Sequence, residues 1–581
     1  MDQASQTSAM AEFSLNWKIA GKAGEGVMTT SETFARACHR HGLKSFTYFE
    51  YPSLIKGGHQ TGQVYAAYDH ASSHKRHVDI LIAFDENAFK FHQSEISPQT
   101  IVVAEPSADQ YDIHQYDHLG ARIAIIEMTN IARETTGSSI ATNTVALGVS
   151  CYLLGMDPQV FITLLHEQFD SKGEDVVNKN VAAFNAGYAK GQELGEPLKK
   201  VEKKEQPGIL LTAGEAIGMG AIAAGLQFYS AYPMSPSSNT MHYIAAQQGK
   251  YPLVLRHAED EIAAINNAIG ASYAGVRAMT GSAGGGFALM VEALSLIGVT
   301  EVPLVILVAM RPGPATGLPT WTGQGDLQFI LHAGHGEFQR VVFTPGNVEE
   351  HFQQTQHAFY LAEKYHIPVL VVTDKYIIEA YQAMPRPVDE YQIERQSFVS
   401  QQELTEDNSF RRYKITETGI SPRSIPGMPH GLQVTNSYEH DEFGYATEEA
   451  DMTIAQVDKR ARKMNGIKLE MPQPYRIGEE NAPVTFVCWG STMTILHQAL
   501  HDAPGLFNIV HLPAVWPFPS EQFIELVKPA QKLVMVEGNH DGQCEQLIRQ
   551  ETGITFADHI RRYDGRPFYS EDIIEWVKKN S

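Results

Sequence analysis

The stretch VPLVILVAM (Val302–Met310), followed by RPGPATGLPTWTGQGDL (Arg311–Leu327), decides the fold class. Its apolar run predicts a buried strand of a parallel sheet. The loop that follows carries one cation, Arg311, and several hydroxyl groups, among them that of Thr320. Ligands of doubly wound sheets bind at the carboxyl ends of the strands, and arginine suits bidentate recognition of carboxylates, so the loop predicts a ligand site. The alternative is a loop whose arginine caps backbone carbonyl groups.

Strand-like and helix-like segments alternate elsewhere in the chain, as parallel sheets with crossover helices require. Near the N-terminus, the strand-like runs Val78–Phe84 and Ile101–Ala104 alternate with the helix-like run Thr144–Leu154. Near the C-terminus, VTFVCWGS (Val484–Ser491) and KLVMVEGN (Lys532–Asn539) each place a strand and a turn before a helix. The sequence therefore predicts a multidomain α/β protein with doubly wound sheets.

Two segments interrupt this alternation and predict domain boundaries. Residues 195–208 (GEPLKKVEKKEQPG) are charged and contain Pro near both ends, which is typical of a linker. Residues 386–475 are rich in Gln, Glu, Arg, Pro and Ser and have weak periodicity, which predicts an irregular connection. We therefore expect domains over residues 1–194, 209–385 and 476–581.

The composition limits the function classes. The 581 residues include 45 Lys+Arg and 67 Asp+Glu, which give a formal net charge of −22 at pH 7. Such an acidic chain argues against dedicated binding to nucleic acid or to anionic membranes, although it leaves room for local basic pockets. No segment is typical of a membrane span or a signal peptide, so we expect a soluble cytoplasmic protein.

The four cysteines, Cys38, Cys151, Cys488 and Cys544, are far apart and form no CxxC pair. This spacing predicts no disulfide framework, and it offers no recognisable zinc site or iron–sulfur cluster. Any cluster that takes part in redox chemistry is therefore expected on another chain.

The run KIAGKAGEGV (Lys18–Val27) contains three glycines between an apolar start and a helix-like segment: Gly21, Gly24 and Gly26. Glycine lets the backbone approach a diphosphate, whose charge a helix N-terminus favours. The order G-x-x-G-x-G differs from the dinucleotide pattern G-x-G-x-x-G, so an ordinary strand-to-helix turn and a nucleotide site are equal alternatives. The pair Gly57–Gly58 favours the nucleotide site slightly, because Lys56 and His59 flank it and could meet a phosphate.

Two further motifs carry side chains suited to a ligand site. The run YPMSPSS (Tyr232–Ser238) follows strand-like Phe228–Ala231 as a rigid loop with hydroxyl groups; the alternative is a turn whose serine caps the next helix. The run AEDEIAAINNAIGAS opens a helix with Glu259, Asp260 and Glu261, and acidic residues there usually complement the helix dipole. Glu261 could point into an apolar environment, but periodicity does not choose among the three acids.

Two other patterns predict little chemistry. TGSAGGG (Thr280–Gly286) is not a nucleophile elbow, because Thr280 stands where G-x-S-x-G needs its first glycine. HKRH (His74–His77) is a weak metal candidate, and its polar surroundings favour a solvated segment.

Taken together, the ordered motifs resemble the 2-oxoacid:ferredoxin oxidoreductases, and more narrowly the fused gamma–alpha subunits of the 2-oxoglutarate type. The resemblance covers nearly the whole chain, with GKAGEG and IKGGHQ before the linker and YPMSPSS, AEDE, TGSAGGG and RPGPATGLPT after it. It implies thiamine-diphosphate-enzyme-like doubly wound sheets with an N-terminal α/β gamma domain over residues 1–194. It also implies a pyrimidine-binding thiamine diphosphate domain over 209–385 and a transketolase C-terminal-like domain over 476–581.

The resemblance implies a reaction and a cofactor. A 2-oxoacid, coenzyme A and oxidised ferredoxin give acyl-CoA, carbon dioxide and reduced ferredoxin, and the reaction can run in reverse to fix carbon dioxide. Thiamine diphosphate supplies the carbanion chemistry in this family. A carboxylate lies against the ring nitrogen N1′ of its aminopyrimidine, and the residue that matches this carboxylate is Glu261.

The resemblance also implies further site residues. The YPITP-like loop of the family matches Tyr232, Pro233 and Ser235, with Met-Ser where Ile-Thr is usual. Tyr232 and Pro233 would contact the cofactor, and Ser235 would donate a hydrogen bond to the substrate. Arg311 would bind a substrate carboxylate, and Thr320 would help to orient it. The gamma domain would contribute three glycines to coenzyme A binding: Gly21, Gly24 and Gly26.

A partner chain is implied as well. The Gly-Asp-Gly…Asn pattern that holds Mg²⁺ and the diphosphate does not occur here, and in this family the beta subunit carries it with the cysteines of a [4Fe-4S] cluster. We therefore expect a chain that supplies no metal ligand, shares thiamine diphosphate with a beta subunit and is active only with it. The expected assembly is (αβ)2, with ferredoxin as its electron carrier.

Other functions stay open at this stage. The substrate could be pyruvate or a branched-chain 2-oxoacid, because fused gamma–alpha chains occur in relatives with other substrates. An NAD-dependent dehydrogenase could use the N-terminal glycine loop. A non-catalytic scaffold subunit of a larger complex is the third alternative.

Overall fold

The computed structural model describes residues 13–53, 58–106, 111–387, 395, 398–404 and 409–580. Internal contacts divide the chain into two compact units. The first unit contains the described residues up to Leu211, together with Ala380–Arg386 and Tyr569–Glu575. The second contains Thr212–Glu379 and the described residues of 387–568 and 576–580.

The first unit is built on a mixed sheet. Its strands are β1 (Ser14–Lys22), β2 (Lys44–Glu50), β3 (His59–Ala67), β4 (Ile80–Ala83), β5 (Ile101–Ala104), β6 (Arg122–Ile125), β7 (Ile209–Thr212) and β14 (Tyr381–Met384). They lie in the order β6-β5-β4-β1-β3-β2-β14-β7. The pairs from β6 to β1 are parallel, whereas those from β1 to β14 are antiparallel.

Helices cover this sheet: α1 (Val27–Arg40), α2 (Glu86–His92), α3 (Met128–Thr136), α4 (Thr142–Leu153), α5 (Pro158–Phe169) and α6 (Glu174–Glu193). Trp17 of β1 stacks on Phe34 of α1 with ring centroids 4.3 Å apart, and both side chains are fully buried. Helices α4 and α6 pack with their backbones in contact, because a Cβ at Gly148 or Gly187 would overlap the backbone of the other helix. Glycine is therefore required at this crossing.

Residues 195–208, which the sequence predicts as a linker, contain no helix or strand. They nevertheless follow the surface of the first unit through backbone hydrogen bonds. The N–H groups of Leu198 and Val201 donate to the carbonyls of Leu153 and Leu154 at 2.8 and 2.9 Å, and the Val201 side chain is buried. The segment is therefore fastened to the first unit, and the domain limits drawn from sequence stay predictions.

The second unit contains a seven-stranded sheet that is parallel except for one edge strand. Its strands are β8 (Phe228–Ala231), β9 (Val254–His257), β10 (Ala278–Ser282), β11 (Leu304–Met310), β12 (Val341–Phe343), β13 (Pro368–Asp374) and β18 (Ala514–Trp516). Their order is β18-β12-β13-β11-β10-β8-β9, with β18 antiparallel to β12. Every residue of the central strand β11 is buried, as its unbroken apolar sequence predicts.

Eight helices in the described part of this region connect and cover these strands. They are α7 (Ala213–Ala223), α8 (Ser238–Gln247), α9 (Glu261–Tyr273), α10 (Gly284–Phe287), α11 (Val291–Thr300), α12 (Leu327–His332), α13 (Val348–Tyr365) and α14 (Lys375–Ile378). The alternation of strands and helices confirms the predicted α/β fold class.

A five-stranded sheet follows near the C-terminus. Its strands are β15 (Tyr475–Ile477), β16 (Thr485–Trp489), β17 (Asn508–Leu512), β19 (Leu533–Glu537) and β20 (Asp558–Arg561), in the order β15-β17-β16-β19-β20. The helices of this region are α16 (Thr492–Asp502), α17 (Ser520–Val527), α18 (Gln543–Thr552) and α19 (Ser570–Asn580). Among the described residues, no helix has both the length and the apolar character that crossing a bilayer demands.

The prediction of an irregular connection over residues 386–475 missed one helix, α15 (Ala450–Leu469). Its buried positions have helical spacing, but most of them are polar: Gln456, Lys459, Arg460, Lys463 and Ile467. A search for apolar periodicity does not detect such a face, because four of these five side chains are hydrophilic. The helix packs through charge pairing instead.

Glu301 is the acidic partner of that buried face. It ends α11 in the left-handed region at φ 51°, and its two carboxylate oxygens lie 2.6 and 2.5 Å from the Nζ atoms of Lys459 and Lys463. The three side chains are at most 2% exposed. Burial alone would raise the pKa of Glu301, but the positive charges of Lys463, Lys459 and Arg412 outweigh it and hold the pKa well below its usual value. The ionised carboxylate therefore holds α15 in place.

Replacing Glu301 by Gln is expected to destabilise the second unit by about 3 to 5 kcal/mol, because it leaves two buried ammonium groups without a counter-charge. The measurement is the urea midpoint of the variant against the parent protein. Because folding lowers the pKa of Glu301, its contribution is present above the unfolded value near 4.5 and is lost as the pH falls below it. The control is Glu292→Gln, an exposed position on the same helix, for which we expect a change within about 0.5 kcal/mol. Equal effects of the two substitutions would contradict this account.

Candidate active site

Four of the motifs lie at one edge of the seven-stranded sheet. Strands β11, β10, β8 and β9 are neighbours in this order and run parallel, so their carboxyl ends meet at the same edge. YPMSPSS follows β8, AEDE follows β9, the glycines of TGSAGGG follow β10, and RPGPATGLPT follows β11. The structure thus brings together motifs that are far apart in sequence.

The structure distinguishes the three acids that periodicity could not rank. Asp260 is the N-cap of α9, and its side chain accepts a hydrogen bond from the N–H of Ala263 at 2.7 Å. Glu259 is exposed. Glu261 is only 3% exposed, and its Oε1 accepts a hydrogen bond of 3.2 Å from the hydroxyl of Ser282. Glu261 is therefore the acid that the fold buries at the edge of the sheet.

The glycine run of TGSAGGG makes room for two carboxyl groups. A Cβ at Gly286 would overlap the hydroxyl of Ser282 and Oε1 of Glu261, and a Cβ at Gly284 would overlap Oδ2 of Asp326. Gly285 faces open space, with its nearest neighbour 3.8 Å away. Glycine is therefore required at Gly284 and Gly286 because of the side chains that pack against them. The comparison with the nucleophile elbow does not reveal this requirement.

Asp326 is a site residue that sequence reasoning missed. Burial raises the pKa of its carboxyl group to about 6, although the guanidinium of Arg311 acts in the opposite direction. Its only sequence signal is its place at the end of the loop that begins with Arg311, directly before α12. Its closeness to Gly284 follows from the fold alone.

Arg311 connects two of the loops. Its Nη1 donates a hydrogen bond of 2.7 Å to the carbonyl of Ser235. Arg311 therefore does cap a backbone carbonyl, as the alternative to a ligand site predicts. The guanidinium is half-buried, and burial lowers its pKa. Since an arginine has five N–H donors, one bond to Ser235 leaves others for an anion. Ser237, the N-cap of α8, makes no capping bond with its side chain, so the alternative for YPMSPSS is met in the position of the serine but not in a capping hydrogen bond.

The remaining predicted residues of this edge differ in exposure. Tyr232 is 38% exposed and Pro233 is also exposed, and the Tyr232 ring lies 6.3 Å from that of His257. Thr320 is 6% exposed, and its hydroxyl has no hydrogen-bond partner within the part of the chain that the structure describes. A buried hydroxyl of this kind costs free energy unless a ligand or water completes it, so Thr320 marks a polar contact that the protein alone does not supply.

Gln324, a second residue that sequence reasoning missed, fixes the far end of this loop. Its side-chain Nε2 donates to the carbonyl of Trp489 at 3.0 Å, and its Oε1 accepts from the N–H of Gly538 at 2.8 Å. The side chain is 2% exposed. The loop that carries Arg311 and Thr320 is thus held near its end by two backbone groups, one at the last residue of β16 and one directly after β19.

In the first unit, the glycine loop lines a separate cavity of about 560 Å³. Gly24 and Gly26 lie on its wall, at the N-terminus of α1, together with Asn143 and the cation Lys172. Gly21 does not line it; a Cβ there would overlap the carboxylate of Glu25 and press on the side chain of Phe84. Two of the three predicted glycines therefore face a possible ligand.

The second glycine pair contributes less than its sequence suggests. Lys56 and Gly57 lie outside the described residues. His59 begins β3, and its Nε2 lies 2.8 Å from Nε2 of His92. Burial and the nearby His92 and Lys18 lower the pKa of His59 to about 3, so this histidine is uncharged at neutral pH and supplies no positive charge for a phosphate.

The polarity of the HKRH segment predicts a solvated run, but the structure packs most of it against aromatic rings. The ring of His74 is buried between those of Tyr48 and Tyr569, at 4.6 and 4.7 Å. Lys75 and Arg76 lie over tyrosine rings, at 5.3 and 5.0 Å from the centroids. Aromatic packing, which local polarity does not encode, explains the difference. Among the described residues, no group of His, Cys, Asp or Glu side chains is placed to hold a metal ion.

Fold and site together define a multidomain α/β protein with a candidate ligand site at one sheet edge of its second unit. Two family models match the chain. Residues 219–459 match "Pyruvate flavodoxin/ferredoxin oxidoreductase, thiamine diP-bdg", and residues 16–190 match "Pyruvate ferredoxin/flavodoxin oxidoreductase".

Individual proteins agree with these matches. The 2-oxoacid:ferredoxin oxidoreductase subunit alpha of a Sulfolobus species is 31% identical over 97% of this chain and 96% of its own length. The 2-oxoglutarate synthase subunit KorA of Methanothermobacter thermautotrophicus is 28% identical over 64% of this chain and 98% of its own. A solved structure of the 2-oxoglutarate:ferredoxin oxidoreductase from Magnetococcus marinus, with 2-oxoglutarate, coenzyme A and succinyl-CoA bound, has 31% identity and a TM-score of 0.89. It covers 97% of this chain and 99% of that chain.

This chain therefore belongs to the 2-oxoacid:ferredoxin oxidoreductase family, as an alpha-type subunit. The resemblance drawn from the motifs is confirmed, and with it a thiamine diphosphate-binding domain in the second unit.

Proposed function

We propose that this chain is the alpha subunit of a thiamine-diphosphate-dependent 2-oxoglutarate:ferredoxin oxidoreductase. The complex interconverts 2-oxoglutarate, coenzyme A and oxidised ferredoxin with succinyl-CoA, carbon dioxide and reduced ferredoxin. The observation that carries the proposal is the meeting of a buried glutamate, Glu261, with the arginine loop at one sheet edge. This arrangement lies in a chain whose fold matches the Magnetococcus enzyme nearly from end to end.

Glu261 is the residue that fits the aminopyrimidine of the cofactor. Its carboxyl group is buried and has one hydrogen bond among the described residues, from Ser282. A buried carboxyl with one partner is costly, and a ring nitrogen or amino group that donates to its other oxygen would offset that cost. Thiamine diphosphate, when bound, supplies the thiazolium carbon that adds to the 2-oxoacid carbonyl. Glu261 holds the proton at N1′, and the exposed face formed by Tyr232 and Pro233 contacts the ring.

We expect Glu261→Gln to lower kcat by about two to three orders of magnitude in the assembled enzyme, because an amide cannot exchange a proton at N1′. The measurement is 2-oxoacid-dependent reduction of ferredoxin or of an artificial one-electron dye. The matched control is Glu259→Gln, an exposed neighbour in the same motif, which keeps parental activity. Full activity of Glu261→Gln would instead favour the non-catalytic scaffold alternative.

Three side chains serve the substrate in this proposal. Arg311 binds the C1 carboxylate with the N–H groups that Ser235 does not use, and the unpartnered hydroxyl of Thr320 completes its hydrogen bond on the same group. The Ser235 hydroxyl donates a further bond. The names of the KorA relative and of the Magnetococcus enzyme support 2-oxoglutarate, whereas the Sulfolobus relative is named only for 2-oxoacids.

The substrate is tested by comparing kcat/KM for 2-oxoglutarate, pyruvate and 2-oxoisovalerate in the same assembled enzyme. We expect 2-oxoglutarate to exceed both others by at least about ten-fold, since a second carboxylate adds a charge-assisted contact. Pyruvate or the branched-chain acid at the head of the series would replace 2-oxoglutarate in the proposal. An Arg311→Ala variant, which we expect to lose activity on all three acids, tests the shared C1 contact.

Coenzyme A is proposed to bind at the cavity of the first unit. Gly24 and Gly26 leave the backbone open at the N-terminus of α1, and Lys172 supplies a positive charge. Gly21 contributes indirectly, because it allows Glu25 to fold against the start of the loop. The coenzyme A in the Magnetococcus structure supports this part of the proposal.

A beta subunit completes the enzyme in this proposal. It carries the Mg²⁺-diphosphate motif and a [4Fe-4S] cluster, because this chain has neither the Gly-Asp-Gly…Asn pattern nor grouped cysteines. Its four cysteines are buried and unpaired, which agrees with a reducing cytoplasm. We propose an (αβ)2 complex that uses ferredoxin and has no role in binding nucleic acid or membranes.

Anaerobic purification of this chain from its native source tests the division of labour. We expect a second chain to co-purify and to bring both iron and thiamine diphosphate, in a complex that elutes as (αβ)2. Separate elution of the two co-expressed chains would contradict the assembly. A chain that is isolated alone and binds thiamine diphosphate stoichiometrically would contradict the need for a partner.

A further inference from the structure

Asp326 occupies a helix start without capping the helix. Aspartate is among the preferred N-cap residues because its carboxylate accepts hydrogen bonds from the first N–H groups of a helix. At the N-cap of α12 the Asp326 side chain makes no such bond. Its carboxyl group lies over Gly284 instead, where any other residue would place a Cβ in the same space. Helix α12 thus lacks a side-chain N-cap, and a glycine is required at position 284 to leave room for the Asp326 carboxyl at this edge of the sheet.

Arg311 and Glu261 are charged side chains that share this edge of the sheet with Asp326. Arg311, at the end of β11, is the charged group that acts on its titration. Glu261, on α9, reaches the same glycine run at Gly286. The third neighbouring element, α18, meets α12 through the uncharged side chain of Gln543. No donor within the described part of the chain hydrogen-bonds the Asp326 carboxyl. Burial and Arg311 therefore determine its protonation.

We propose that Asp326 is a positioning residue that sets the affinity of Arg311 for the substrate carboxylate according to its own protonation. When Asp326 is ionised, it attracts the guanidinium and repels the incoming anion. When it is protonated, the repulsion disappears and the carboxyl O–H becomes an additional donor. The inference rests on the proposed function, since it needs a 2-oxoacid at Arg311.

Geometry and titration agree on the pH range. Burial raises the pKa of Asp326 to about 6, so the group changes charge between pH 5.5 and 7.5. The substrate is an anion throughout this range. When it binds beside ionised Asp326, either the Asp326 carboxylate takes up a proton or the affinity falls. We therefore expect the parental KM for the 2-oxoacid to rise about ten-fold from pH 5.5 to 7.5, while kcat at saturation changes less than two-fold.

The test compares KM and kcat of the assembled enzyme over this pH range in the parent and in Asp326→Asn. An amide keeps the size and a donor but does not ionise, so the KM of this variant is expected to stay near the low-pH parental value at every pH. Gly284→Ala gives an independent route to the same outcome, because its Cβ displaces the carboxyl group. Its matched control is Gly285→Ala, whose Cβ meets nothing closer than 3.8 Å and which keeps the parental pH profile.

Several outcomes would overturn the inference. The inference is wrong if the parental pH profile of KM persists unchanged in Asp326→Asn, or if the substitution lowers kcat at all pH values without altering the profile. If Asp326→Asn and Gly284→Ala both fail to assemble while Gly285→Ala assembles, the role of Asp326 is structural and the inference is wrong. A complex that turns over none of the three 2-oxoacids refutes the proposed function itself. One that turns over pyruvate instead still tests Asp326, because the C1 carboxylate is common to all three.

Discussion

The cost of burying charge away from water is the constraint on which the second unit depends. Removing a carboxylate or an ammonium group from water is expensive unless opposite charges or hydrogen bonds compensate it. At Glu301 opposite charges compensate this cost, because Lys459 and Lys463 each contact one carboxylate oxygen. That pairing is the reason why a helix with a hydrophilic buried face packs against the domain at all.

The carboxyl groups of Glu261 and Asp326 at the sheet edge have less compensation from the protein than Glu301. Glu261 has a single hydroxyl donor among the described residues, and burial raises the pKa of Asp326 although Arg311 acts in the opposite direction. Incompletely compensated groups of this kind cluster at functional sites, where a ligand supplies the hydrogen bond or charge that the protein lacks. Glu301 is more deeply buried than Glu261 or Asp326, but each of its carboxylate oxygens contacts a lysine, so its charge is structural rather than available for chemistry.

The sequence predicted most of the fold and part of the site. Strand β11 and its loop follow from an unbroken apolar run before Gly and Pro, and Arg311 follows from being the only cation in that loop. Glu261 could be chosen among three acids only through the family resemblance, because capping by Asp260 and burial of Glu261 are three-dimensional facts. Helix α15 was missed because periodicity searches look for apolar faces, whereas its face is charged. Asp326 was missed because its significance comes from Gly284, a residue on another element of the fold.

In the proposed enzyme, two acids share the edge of the sheet with Arg311, the cation assigned to the substrate carboxylate. Two uncompensated carboxylates would weaken the binding of an anionic 2-oxoacid there, so each acid needs a partner of its own. Glu261 would be satisfied by a donor from the cofactor, which ties substrate affinity to prior cofactor binding. Asp326 has no such partner and can be neutralised by a proton from solvent. The two carboxyl groups therefore have different routes to compensation in the proposed enzyme, and the glycine run makes room for both, at Gly286 for Glu261 and at Gly284 for Asp326.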